Sequence, residues 1–292
     1  MSRLGDRRRL LPYALLSPGL LWLFVFFLIP LGYMLDISLQ TGDELSGFER
    51  SFNFGVFGDA IGDYGTQLGR SFLYAGMATL ISFVVGFPLA YFIAFRGGKW
   101  RNALLLLVIL PFFITYLVRT LSWQTILSDG GFVVDSLKAV GLIGEDGRLL
   151  ATTSAVVAGI TYNFLPFMIL PIYASMEQID KRVLEAASDL YGKRRDAIAR
   201  VVVPMAMPGI VAGVLLTFIP AAGDFINAEL LGTPQQFMIG NVIQSRFLEV
   251  ADYPTAAALS FVLMAVILVL VAGYARAVGT ESLTGADERP AR

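Results

Sequence analysis

Residues 71–95 read SFLYAGMATLISFVVGFPLAYFIAF, 25 positions from Ser71 to Phe95 without a charged side chain. A helix rises 1.5 Å per residue, so this stretch is about 37 Å long. That is enough to cross a hydrocarbon core of about 30 Å. Five more stretches lack charge: residues 10–35, 102–118, 149–176, 201–223 and 253–275. They hold between 17 and 28 residues, and a spanning helix needs roughly 20. The shortest, 102–118, is followed by Arg119, after which apolar character resumes as far as Ser128. The pattern predicts an all-α polytopic membrane protein with six transmembrane helices. Residues 230–245 are also uncharged but include Gly232, Pro234, Gln235, Gln236 and Asn241. They are too short and polar to span and read as a re-entrant or surface segment.

Composition supports the same class. Of 292 residues, 56% are hydrophobic and 15% charged, where soluble domains carry about 25% charged residues. A water-soluble enzyme is excluded on that ground. The chain has no Cys and no His, which removes disulfides, thiol chemistry, imidazole catalysis and Cys/His zinc sites. A net charge of −1 shows no basic excess toward nucleic acid. No catalytic or metal-ligating set is expected.

Charge placement predicts orientation. With the N-terminus inside, the inner segments hold 16 Lys and Arg and the outer segments 6; acidic residues divide 9 inside and 14 outside. Basic residues favour the cytoplasmic side, so an N-in, C-in topology is expected. Arg7, Arg8 and Arg9 precede the first stretch, which is much longer than a signal-peptide core of about 7–15 residues. It reads as a retained span.

The outer segment 36–70 is rich in Gly and acids and reads as irregular. Phe132, Val133, Leu137 and Val140 share a helical face, so a short helix is expected within 129–148. Trp100 reads as an interfacial anchor. The inner loop 177–200 is patterned. Asp180 can cap a helix starting at Lys181, and Val183, Leu184, Ala187, Leu190 and Tyr191 share one face. Gly192 can end that helix, and a basic segment 193–200 leads into the fifth span. The apolar face either packs on the inner ends of the spans or docks a cytoplasmic partner.

Within this loop, Glu185-Ala186-Ala187-Ser-Asp189-Leu190-Tyr-Gly192, followed by Val201-Val-Val-Pro204 and Pro208-Gly-Ile210, resembles the EAA motif of ABC-importer permeases. Val201 and Val203 stand where the motif has Ile and Leu, and Gly192 comes one position late. Residues 110–123, 162–173 and 223–232 with 238–240 resemble the spermidine/putrescine-type subgroup. The resemblance covers roughly residues 65–276 and implies a type I ABC-importer permease fold. It implies a domain plan of 1–66 (basic N-terminus, first span, outer loop), 67–276 (core permease with coupling loop 177–200) and 277–292 (cytoplasmic tail). It further implies a second homologous permease, two copies of a cytoplasmic ABC ATPase, an extracytoplasmic substrate-binding protein and a bacterial cytoplasmic-membrane location. ATP and Mg would sit on the ATPase. This chain has no G-x-x-x-x-G-K-[ST] loop of its own, and no cofactor is expected in it.

Ionisable groups at membrane depth are functional candidates because burying them is costly. Arg119 lies 17 residues beyond Asn102, about 25 Å along a straight helix. It would then be an interfacial anchor, or a partner for Asp224 or Glu229. A polyamine needs carboxylates and aromatic faces. Asp224, Glu229 and Asp252 supply the first; Tyr116, Trp123, Tyr162 and Phe225 supply the second. The bland readings are a solvated outer loop and lipid packing. Pro30, Pro88, Pro111, Pro166, Pro171 and Pro220 suggest kinks or ordinary irregularity. Two other functions stay open: a stand-alone secondary transporter or channel, and an ABC permease for another small solute. An intramembrane enzyme lacks a Ser/Lys or paired-Asp set in a span core.

Overall fold

The computed structural model describes residues 15–43, 47–144, 146–180, 182–184, 186 and 194–278. Helix α1 (Leu15–Ser38) carries a π turn at Phe24–Leu28. It leads into an antiparallel hairpin, β1 (Gln40–Asp43) and β2 (Gly47–Arg50), in which Gln40 faces Arg50. The tight reversal uses glycines, with φ +124 at Gly42 and φ +82 at Gly47. Helix α2 (Gly55–Arg96) runs for 42 residues. Its first turn is capped by Asn53, whose side-chain oxygen accepts from the Gly55 amide at 3.0 Å. The outer segment 36–70 is therefore not irregular. It holds the hairpin and 16 residues of helix before the apolar stretch begins. Charged positions Asp59, Asp63 and Arg70 hide that helix from a count of uncharged residues.

The third apolar stretch is not one straight helix. Helix α3 (Gly98–Phe113) and the segment Tyr116–Ala139 meet at 95°. That segment holds α4 (Tyr116–Leu127) and α5 (Phe132–Ala139), the second matching the short helix expected there. Pro111 lacks an amide donor and sits in a 3-10 turn, Leu110–Phe113. Ile114 and Thr115 follow with extended ψ of 136 and 148. The Thr115 carbonyl then restarts the ladder by accepting from the Arg119 amide at 3.1 Å.

Helix α6 (Thr153–Glu177) starts at a Thr152 cap that accepts from the Ala155 amide at 3.2 Å and continues through Pro166 and Pro171. The fifth stretch is bent as well. Helices α7 (Arg195–Met205) and α8 (Met207–Ala222) meet at 70°, with Pro204 and Pro208 flanking the break at Ala206. Next come α9 (Ile226–Leu231), a 3-10 turn at Pro234–Gln236, α10 (Ile239–Leu248) and α11 (Tyr253–Val278). Among the described residues, four helices are individually long and apolar enough to cross a membrane, and six spans result if each bent pair counts as one.

The chain forms two compact units. One takes the sequence up to Asp63 with Ile243–Val262, and the other takes Tyr64–Val242 with the sequence from Leu263. In the first, Asp36 pairs with Arg50 at 2.9 Å and Tyr253 packs on Phe247 and Phe48. In the second, α6 and α8 form the main packing seam. Lipid tails are as apolar as side chains, so such a seam depends on close backbone approach. Gly213 supplies it: a Cβ there would stand 3.0 Å from the Met168 carbonyl. Two buried clusters flank the seam. One is centred on Ile160, Phe164 and Leu231, the other on Ile93, Met168, Ile169 and Ile172.

Candidate functional site

The break after Phe113 turns α4 so that it packs against α6 and α9. Tyr116, Arg119 and Thr120 thereby meet Asn163 of α6, together with Asp224 and Asn227 around the start of α9. Asn227 is the hub. Its amide nitrogen donates to the Asp224 carboxylate at 2.6 Å and to the Tyr116 hydroxyl oxygen at 2.5 Å. Its amide oxygen accepts from Asn163 at 3.2 Å and from Thr120 at 3.4 Å. Asn163 also donates to the Thr120 hydroxyl at 3.2 Å. Gly159, one turn before Asn163, leaves room for this hub, since a Cβ there would collide with Asn227 and Leu231.

Arg119 is 7% exposed, so the expected interfacial anchor is not found. The straight-helix estimate failed because the chain bends at Ile114–Thr115. The guanidinium lies 5.1 Å from the Phe112 ring centroid and 5.5 Å from that of Tyr116. It forms no ion pair with Asp224 or Glu229, and its Nε and Nη1 have no hydrogen-bond partner among the described residues. The Asn163 side-chain oxygen is likewise buried without a donor. Asp224, just past α8, also accepts from the Ile226 amide at 3.1 Å. Burial pushes its carboxyl above the usual carboxylate range, and hydrogen bonds from Asn227 and Tyr116 work against that rise. A desolvated carboxyl of this kind gains most from a cation placed beside it.

Of the residues singled out from the sequence, Tyr116, Arg119 and Asp224 fall in this cluster. Trp123 and Tyr162 pack on each other beside it, edge to face at 5.4 Å. Phe225 is half-buried, and its carbonyl accepts from Asn241 at 2.9 Å. Glu229 is exposed and takes no part in the cluster. Asp252 instead pairs with Arg246 at 3.5 Å and caps α11. In the coupling loop, Glu185, Ala187, Asp189, Leu190 and Gly192 lie outside the described residues. Ala186 is helical, Pro204 is exposed on α7, and Asp180 accepts from the Arg182 amide at 2.9 Å, as a cap should. Sequence reading passed over Thr120, Asn163 and Asn227. An available signal was an amide in mid-stretch, since Asn163 stands far from both ends of residues 149–176.

Residues 86–278 match the family model for the binding-protein-dependent transport system inner membrane component. This chain belongs to that family. It is 37% identical over 257 residues to the spermidine/putrescine transport system permease protein PotB of Escherichia coli (strain K12), covering 88% of this chain and 94% of that protein. Its fold matches a bacterial ABC transporter involved in import of the acidic polysaccharide alginate. The TM-score is 0.74 at 21% identity, over 95% of this chain and 98% of the other. The alginate transporter has also been solved in complex with an alginate pentasaccharide-bound periplasmic protein, again at TM-score 0.74 and 21% identity, over 94% of this chain and 96% of the other. The protein is thus a multi-pass inner-membrane permease of an ABC importer, a transport component and not an enzyme.

Proposed function

We propose that this permease forms half of the translocation pathway for a polyamine of the spermidine/putrescine class. The observation that carries the cargo is the 37% identity to PotB over 88% of the chain. The buried Asp224 carboxyl, linked to Tyr116 through Asn227, is the chemistry an ammonium-bearing chain would use, with the Phe112 ring beside Arg119. In this reading each bent helix pair counts as one span, giving six, with both termini cytoplasmic. Residues 1–66 form the N-terminal span and outer loop, 67–276 the core, and 277–292 the tail. The loop 177–200, with Glu185, Ala186, Ala187, Asp189, Leu190, Gly192 and Pro204, docks one of two ATPase subunits. ATP and Mg are bound there, and this chain carries no cofactor. A second homologous permease completes the pathway, and an extracytoplasmic binding protein delivers cargo. Arg119, Trp123, Tyr162, Asp224, Phe225 and Glu229 are the pathway candidates, with Glu229 at the exposed outer margin.

The test reconstitutes the permease pair with ATPase and binding protein in proteoliposomes. Spermidine should stimulate ATP hydrolysis and be taken up. Glu185→Arg should abolish both, along with ATPase co-purification. Intact coupling without any spermidine response sinks the cargo assignment, and normal ATPase binding in the variant sinks the docking assignment. The cysteine-free sequence gives a clean background for orientation: single Cys residues at 3 and 289 should label only from the cytoplasmic side.

A further inference from the structure

Most of the polar cluster is explained by its own hydrogen bonds, but two of its features are not. Arg119 is buried with donors on Nε and Nη1 left over, and Asn163 is buried with an acceptor left over. A buried charge without a partner is strongly disfavoured, so the arrangement calls for a further group. The guanidinium does not satisfy Asn163: its Nε and Nη1 and the Asn163 oxygen all lack a hydrogen-bond partner among the described residues. Phe112 is 38% exposed while Arg119 is 7% exposed, so the residue that carries the ring lies nearer the surface than the arginine behind it. Tyr116 joins the two halves, with its ring under the guanidinium and its hydroxyl on Asn227 beside Asp224. The two rings an ammonium would seek already face one cation belonging to the chain, and the Tyr116 hydroxyl links the second ring to the Asn227 amide that also holds Asp224.

We propose that Arg119 is a resident cation that competes with the ammonium groups of the cargo for the Phe112 and Tyr116 rings and the field of Asp224. It thereby sets how tightly this half of the pathway holds a polycation. This inference rests on the polyamine reading above. A polycation enters only as the guanidinium swings off the rings. Its ammonium then donates to Asp224 and to the orphan Asn163 oxygen, and Arg119 gains access to acceptors that it lacks here. When the cargo leaves, the arginine returns and prevents the carboxyl from retaining it. An importer needs such a weak hold, because its pathway must release cargo on every cycle. Arg119 is here a specificity-determining residue, not a cargo ligand.

The experiment measures equilibrium binding of radiolabelled spermidine to the whole transporter in nanodiscs, without binding protein. Wild type, Arg119→Gln, Arg119→Lys and Asp224→Asn are compared, and each must co-purify with its ATPase. Removing the competing cation should tighten spermidine binding roughly tenfold in Arg119→Gln, the scale of a desolvated cation–π contact. Arg119→Lys keeps the charge and should bind as weakly as wild type, and Asp224→Asn should lose binding. A purely structural role would instead weaken binding in both arginine variants. Unchanged or weaker binding in an assembled Arg119→Gln transporter overturns the inference and leaves the cargo reading standing. Should wild-type proteoliposomes with binding protein import no spermidine, the cargo reading falls and this inference goes with it.

Discussion

Arg101 and Arg119 flank the same break, and each has a ring beneath it. Arg101, at the start of Arg101–Ile109, lies 5.1 Å from the Tyr173 centroid, donates to the Tyr173 hydroxyl and pairs with Glu177 at the end of α6. Arg119, past Ile114–Thr115, has the Phe112 and Tyr116 rings but no carboxylate. The first side chain is 32% exposed and its partner 46%, while the residue Arg119 is 7% exposed. Ring, charge and chain are alike, so the difference lies in solvent and partner. The exposed arginine ties α3 to the end of α6 at small cost. The buried one holds Nε and Nη1 where no acceptor among the described residues answers them, which is poor for stability and therefore points to use.

The hub beside Arg119 offers the largest way to break this contrast. Asn227→Leu removes four buried hydrogen bonds at once, leaving Asp224 its bond from the Ile226 amide and Asn163 and Thr120 their bond to each other. Each of the four bonds is worth about 0.5–1.5 kcal/mol, so a loss of about 3–5 kcal/mol is expected. Thermal unfolding in nanodiscs, followed by tryptophan fluorescence, should fall by about 10 °C. An unmoved transition would mean that the cluster is not a packed network, and that burial of Arg119 requires no special account.

A smaller effect of opposite sign is expected at Arg119 itself. Two unpaired buried donors cost about 1–3 kcal/mol each, and the ring contacts return about 0.5–2 kcal/mol. Arg119→Leu should therefore stabilise the assembled transporter by about 1 kcal/mol, raising the unfolding temperature by about 2–4 °C. A clear loss of stability would show that the guanidinium has a protein acceptor in the full assembly, and the two arginines would then differ only in depth.

The sequence made the membrane class legible because Lys, Arg, Asp and Glu interrupt a hydrophobic run visibly. The same signal misled twice. Asp59, Asp63 and Arg70 lie on a continuous helix that crosses beyond the apolar zone, so absence of charge marked the span and not the helix. Pro111 sits at a break, yet Pro88, Pro166, Pro171 and Pro220 sit in unbroken helices. A proline alone does not say whether neighbours will support the freed carbonyls, and only the fold shows that Ile114 and Thr115 go extended. Asn163 and Asn227 escaped notice because amides do not interrupt a charge count. Their meaning depends on the bend that brings α4 against them. Asp224 was legible as a carboxylate at the end of a span, and the acceptor-free state of Arg119 was not legible at all.

The rim arginine supplies the smallest and sharpest comparison. A pair exposed to this degree is worth about 0.2–1 kcal/mol, so Arg101→Gln should lower the unfolding temperature by only about 1–3 °C. The loss should shrink further in high salt, which screens an exposed pair. Glu177 closes α6 just before the loop proposed to dock the ATPase, so the same variant should show a second effect. ATP hydrolysis would persist while uptake per ATP falls, because α3 would no longer follow the end of α6. Arg101→Lys keeps the charge but loses the two-partner fork to Tyr173 and Glu177, and should recover the salt dependence without recovering the coupling. If Arg101→Gln leaves uptake per ATP untouched, the rim contact is only a surface ion pair. The functional contrast between the two arginines would then rest on Arg119 alone.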